Sequence, residues 1–171
     1  MDRTRASATA ALTVAAACAA LLTGASSAQA ATSYVGDDCS SSGNKKCFRI
    51  HYNSRSETTT QSRSACLATN RSRSDHYGYS PNGASYVRWV FRSFPSDAYG
   101  GMYHPCDPTG DGQGVYHNAA SAWNQDPYAA YAVYSETGYG GQNKWYPKAD
   151  GYARNLGSGI KNHNGAHKRY A

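Results

Sequence analysis

The stretch Ala132-Val133-Tyr134-Ser135-Glu136-Thr137-Gly138-Tyr139-Gly140-Gly141 begins as a β-strand and is broken by three glycines around one tyrosine. Its skeleton is an aromatic, four residues, a tyrosine, one residue and a glycine. The same skeleton recurs in Phe94-Pro95-Ser96-Asp97-Ala98-Tyr99-Gly100-Gly101. A few tens of residues after each copy lies a segment with an Asn followed by small residues, "VYHNAASAWN" (115–124) and "IKNHNGAHKRY" (160–170). Recurrence of two linked signals in the same order implies a chain built of two related halves.

The surrounding sequence agrees with a β-protein. Fifteen tyrosines and seventeen glycines accompany few Leu or Met, and no long segment keeps a helical apolar period. Short strands are predicted over Cys47–Tyr52, Ser85–Phe91, Ala130–Tyr134 and Lys144–Tyr146. Turn residues separate them at Ser80–Gly83, Asp107–Gly114, Gly138–Gly141 and Asn155–Gly159. Short strands at close spacing imply a sandwich or Greek-key arrangement. The polar run Ser54–Ser74, rich in Ser and Arg, reads as a solvated loop or an edge strand pinned at Cys66. Its arginines lack the interleaved aromatics of a nucleic-acid tract.

Residues 1–30 read as a secretory signal peptide. Arg3 and Arg5 precede a short apolar run, Ala10–Leu22, and Ala28-Gln29-Ala30 has the form of a cleavage site. Residues 31–171 then form a single domain with no membrane segment. The formal charge of +6 falls to +5 on losing Asp2, Arg3 and Arg5. Such mild basicity suits solubility or acidic surfaces and selects no partner. Four cysteines remain, Cys39, Cys47, Cys66 and Cys106, which an exported chain pairs into two disulfides. Three connectivities are possible. The favoured one joins Cys39 to Cys47 and Cys66 to Cys106, and a zinc site is disfavoured because the C-x-x-C spacing is missing.

The Tyr134–Gly141 skeleton resembles the folded hairpin of the βγ-crystallin Greek key. The resemblance implies that Gly141, or Gly101 in the first copy, takes positive φ, where a side chain is strained. Tyr139 and Tyr99 would cover the hairpin, and Tyr134 and Phe94 would be the strand aromatics. Ser121 would tie the hairpin backbone by a hydrogen bond, whereas the second copy has Ala166 at that place. The segments "CFRIHYNSR", "GQGVYHNAASAWN", "VYSETGYGG" and "ARNLGSGIKNHNGAHKRY" resemble, more narrowly, the secreted actinobacterial proteins of peptidase inhibitor family I36. That resemblance covers roughly Cys39–Tyr170. It implies an all-β, disulfide-braced, βγ-crystallin-like sandwich and inhibition of thermolysin-type zinc metalloproteases.

Other motifs yield little chemistry. His163 and His167 in "HNGAH" lack the glutamate of a zinc-protease helix and flank a turn pair. Asp107 and Asp111 lack the alternate oxygen ligands of a calcium loop. The run His117–Ala122, where βγ-crystallins hold calcium, offers poor oxygen donors at its ends. No nucleophile with a base and no carboxylate pair stands out, and Glu57 and Glu136 are the only glutamates. The expectation is therefore a secreted, monomeric non-enzyme with no metal and no cofactor. It would meet a secreted protease, of thermolysin type, and neither nucleic acid nor membrane. Two segments could enter the protease cleft, Tyr99–Asp107 and Trp145–Tyr152. The first is preferred because Pro105 and Cys106 stiffen it, which puts Met102, Tyr103, His104 and Pro105 at the contact. The rival function is a cell-wall or glycan-binding, or killer-toxin-like, module of the same fold, which exposed tyrosines and positive charge would serve.

Overall fold

The structure, a computed structural model, describes residues 30–39, 46–59, 62–94 and 106–171. It is almost wholly β. The strands are β1 (Ala31–Val35), β2 (Asp37–Asp38), β3 (Phe48–His51), β4 (Cys66–Thr69), β5 (Gly78–Tyr79) and β6 (Ser85–Trp89), followed by β7 (Ser121–Asn124), β8 (Ala130–Tyr134), β9 (Asn143–Tyr146), β10 (Arg154–Asn155) and β11 (Ala166–Tyr170). They form three sheets in the orders β10-β7-β3-β4-β2, β11-β8-β9 and β1-β6-β5.

The four strands expected from local pattern all form: β3 and β6 are trimmed, β8 has the expected bounds and β9 starts one residue earlier, at Asn143. The expected loop over Ser54–Ser74 is corrected. Its centre, Cys-Leu-Ala-Thr, is β4, buried throughout and flanked by β3 and β2. The polar flanks hide a four-residue apolar core whose burial the Cys66 disulfide reinforces. Both disulfides have the favoured pairing, Cys39–Cys47 and Cys66–Cys106. Such bonds mark an extracellular or otherwise oxidising compartment.

The first two sheets face each other across one core. Phe48 of β3 stacks on Tyr131 of β8, with centroids 4.4 Å apart and planes 9° apart, and Tyr146 meets the Phe48 ring edge-on at 5.4 Å. Ile50, Leu67, Val133 and Phe91 fill in around them, all fully buried. Each such side chain contributes roughly 1.5–3 kcal/mol by leaving water. β3 stands in its sheet as β8 does in the other, each central and antiparallel to two neighbours. The sheets also exchange edges. β10, from the later part of the chain, pairs with β7, while Arg73, from the earlier part, forms an antiparallel bridge to His167 of β11.

The turns before β7 and β11 meet reciprocally. The His117 amide donates to the Asn164 carbonyl, and the Asn162 amide donates to the Ala119 carbonyl. His117 and Asn162 both take left-handed backbone, φ 59° and 57°. The segments around His117 and Asn162 are thus counterparts 45 residues apart in the chain (162 less 117). Asn164 closes the junction from within. Its Oδ1 accepts from the Ala119 amide, and its Nδ2 donates to the Val115 carbonyl and to His76 Nδ1, each at 2.8 Å.

From there a buried chain of neutral imidazoles runs on. His167 Nε2 lies 2.9 Å from the Arg71 carbonyl, so it carries the proton and His167 Nδ1 accepts. His76 Nε2 then donates to His167 Nδ1 at 2.8 Å, leaving His76 Nδ1 to accept from Asn164. Every ring nitrogen has one partner of the right sense. Burial pushes His167 down to about 3 and His76 well below its usual value. His51, also fully buried, is lowered to about 3 by burial and by the Arg49 charge.

Two outcomes are expected. Asn164→Ala removes a side chain serving three buried groups and should cost about 3 kcal/mol or more, at 1–3 kcal/mol for each unsatisfied group. Asn164→Asp, which can accept but not donate, should also destabilise, as read by urea denaturation at pH 7.5. The histidines give the pH dependence. Their folded pKa values lie below the unfolded 6.5, so the unfolded chain binds more protons at acid pH. Their contribution is complete above pH 6.5 and is lost as pH falls from 6.5 towards 3. His51 and His167 should each lower stability by up to about 1.4 kcal/mol per pH unit in that window, and His76 acts in the same direction. Urea midpoints at pH 7.5, 6.0 and 5.0 that stayed level would refute this.

Candidate functional site

The segment carrying the expected contact residues is held at both ends. Phe94 and Cys106 form a two-bond antiparallel bridge, with the Phe94 amide 2.9 Å from the Cys106 carbonyl and the reverse bond at 3.1 Å. Cys106 is bonded to Cys66 of β4, and the Cys66 backbone is itself bridged to Arg92 by bonds of 3.0 and 2.8 Å. Arg92, Phe94 and Cys106 are therefore fastened to a buried strand. Asp111 adds an outer strut, accepting from the Ser93 amide at 2.7 Å and facing the Arg92 guanidinium at 3.8 Å. Met102, Tyr103, His104 and Pro105, with Tyr99 and Gly101, lie outside the described residues.

His51 sits behind this clamp. Its ring nitrogens have no hydrogen-bond partner among the described residues, and its imidazole lies within 4.8 Å of both disulfide sulfurs. A His and two Cys would make a metal donor set only as thiolates; here the sulfurs are bonded to each other.

The second expected presenting segment, Trp145–Tyr152, combines two buried anchors with an exposed run. It begins inside β9, and Tyr146 is a core residue. Asp150 is buried: its carbonyl accepts from Trp123 Nε1 at 2.6 Å and its carboxylate accepts from Nε and Nη2 of Arg154. Trp145, Pro147, Lys148, Ala149, Gly151 and Tyr152 are exposed between and beside these anchors.

The hairpin after β8 holds the remaining expected residues. Tyr134 meets Tyr139 edge-on at 5.8 Å. Gly141 has φ 72°, and a Cβ there would lie 2.2 Å from Ser135 Oγ, so this turn needs glycine. Ser121 Oγ donates to the Asn53 carbonyl at 2.7 Å, tying the chain just after β3. At the corresponding place Ala166 has no hydroxyl. There the preceding Gly165 lets the hairpin lie directly on it, since a Cβ would come 2.4 Å from the Glu136 carbonyl carbon. His163 and His167 are separated: His167 is in the core chain and His163 is exposed beside the Lys161 carbonyl. Asn118 Nδ2 is bonded to the Gly114 carbonyl, and the Ser121 hydroxyl points inward.

Sequence reasoning missed a face of the third sheet. β1 runs parallel to β6, aligning Tyr34 with Arg88. Arg88 lies over the Tyr77 ring at 3.2 Å and donates to its hydroxyl. Tyr77 meets Tyr86 and Tyr116 edge-on at 6.1 and 5.9 Å. Tyr34, Tyr77, Arg88 and Tyr116, together with Trp89 and Asn118, line a groove of about 390 Å³. The tyrosine count was the only hint available, because the pairing that assembles the face joins residues 31–35 to 85–89.

The two disulfides should differ in strength. The chain-entropy relation gives about 2.5 kcal/mol for Cys39–Cys47, which closes 8 residues, and about 4 kcal/mol for Cys66–Cys106, which closes 40. Paired Cys→Ala variants compared by thermal denaturation should rank in that order. Among the described residues, no helix is long and apolar enough to cross a membrane. Comparison with protein-family models, with curated proteins and with solved structures finds no match for this chain.

Proposed function

We propose that the chain is a secreted peptidase inhibitor of the I36 type, directed at zinc metalloproteases and built on a βγ-crystallin-like pair of Greek keys. Support for the scaffold comes from the parallel build of the halves. Each has a central strand (β3 or β8), a neighbour (β4 or β9), a segment that crosses to the other sheet (around Arg73, or β10) and a returning strand (β7 or β11). The positive-φ Gly141, the Ser121 tie and the likeness of four sequence segments to family I36 point the same way.

One observation carries the inhibitory reading. The segment holding Met102, Tyr103, His104 and Pro105 leaves and re-enters the fold through the Phe94–Cys106 bridge and the Cys66 disulfide. Fixing a short segment at both ends lowers the entropy lost when a protease cleft closes on it, so a standard-sized contact can bind tightly. Met102 or Tyr103 would fill a primary side-chain pocket of the enzyme. Inhibition of this kind is occlusion, and it asks no catalytic residue of the chain. The protein would act as a monomer, one copy per protease.

The test is a titration of oxidised residues 31–171 against thermolysin and against subtilisin. Stoichiometric loss of thermolysin activity alone is expected. Met102→Ala and Tyr103→Ala should each weaken inhibition at least tenfold without changing the melting temperature. Full activity of both enzymes at micromolar protein would overturn the proposal.

A further inference from the structure

The groove on the β1-β6-β5 sheet is lined by none of Phe94, Cys106 or Cys66, and its chemistry is of another kind. Tyr34 is 60% exposed and Tyr77 44% exposed, while Trp89 and Val90 beneath them are buried. What solvent reaches is a set of tyrosine rings, one guanidinium and the Asn118 amide. Gly112 and Gly114 border the groove with no side chain to block it, and a Cβ at either would meet open space. Gly78 clears the sheet beside Arg88, where a Cβ would lie 2.0 Å from the Val87 carbonyl.

The charge is one-sided. The groove lining holds no carboxylate, and Arg88 makes no ion pair among the described residues. By contrast, Arg73, Arg92, Arg154 and Arg169 each face an aspartate. The Tyr77 ring and hydroxyl hold the Arg88 side chain in place without neutralising it. His76, at the groove floor, is neutral for the reasons given above. A single ordered guanidinium matches the single charge of a carboxylate, whose two oxygens fit its planar fork. Flat amphipathic rings beside it suit the apolar faces and hydroxyls of sugar rings. The groove offers no exposed aliphatic pocket in which a peptide side chain would anchor.

We propose that this groove binds a carboxylate-bearing polysaccharide, with uronic-acid carboxylate on Arg88 and sugar rings on Tyr34 and Tyr77. Binding here would place the protein on an acidic glycan surface. The proposal stands apart from protease inhibition, and either can fail alone.

Affinity electrophoresis of oxidised residues 31–171 at 0.15 M salt tests it, with polygalacturonate, fully methyl-esterified polygalacturonate and polyglutamate as probes. Retardation by polygalacturonate is expected, at least tenfold weaker with the methyl ester. Arg88→Gln and Tyr34→Ala should each weaken it at least tenfold while leaving thermolysin inhibition and melting temperature as they were. Unretarded migration in polygalacturonate would overturn the proposal. So would polyglutamate binding as strong as polygalacturonate, which would make the groove an acidic-peptide site. Equal retardation of wild type and both variants would place the binding elsewhere on a basic surface.

Discussion

Everything else in this molecule is arranged around Asn164. Its one amide fastens the turn before β7, the turn before β11 and the first imidazole of the buried chain. Its backbone carbonyl receives the His117 amide, and the Asn162 amide reaches back to Ala119. The two turns carry opposite ends of two sheets. Had they not locked together, the Phe48–Tyr131 stack could slide and the exchanged edges at β10 and Arg73 would lose register. A buried polar network is costly unless every member is satisfied. Here each donor and acceptor from Ala119 to Arg71 has a partner, so the network specifies one arrangement of the halves.

That rigidity explains how the surface can be used. The core sheets bring Cys66 to full burial, and the disulfide carries the rigidity outward to Cys106 and Phe94. The third sheet is fastened differently. Val35 and Val87 pack against the core cluster and Tyr79 stacks on Trp89, so its inner face is committed. Its outer face is left to the tyrosines and Arg88. One scaffold therefore carries two unlike features, the Phe94–Cys106 clamp and an aromatic groove.

The two core sheets are built alike around β3 and β8 but are fastened differently before β7 and β11. The first half uses a hydroxyl, Ser121, to hold the chain after β3. The second replaces the hydroxyl with direct backbone contact at Gly165, possible only without a Cβ. The aromatic unit Phe94–Gly101 resembles Tyr134–Gly141 in sequence. The strand that stands as β8 does is nevertheless β3, and Phe94 takes part in an isolated bridge at the base of an insertion. A sequence skeleton can recur without recurring in the same structural place.

The amino-acid sequence alone determined what depends on neighbours along the chain. Aromatic and β-branched runs marked β3, β6, β8 and β9, and glycine at 138 and 141 marked the turn that needs left-handed backbone. Cysteine spacing favoured the pairing that forms. The likeness of the segments at 115–124 and 160–170 announced the two turns that meet. Tertiary structure decided whatever depends on distant partners. Cys66–Thr69 lies in a polar run, and only its place between β3 and β2 makes it a buried strand. His76 and His167 show no motif, since their tautomers and their resistance to protonation come from partners up to 96 residues away. The groove exists only because residues 31–35 align with 85–89. Local pattern reports what a segment can become; contact energy between remote segments, invisible in either one alone, selects what it is.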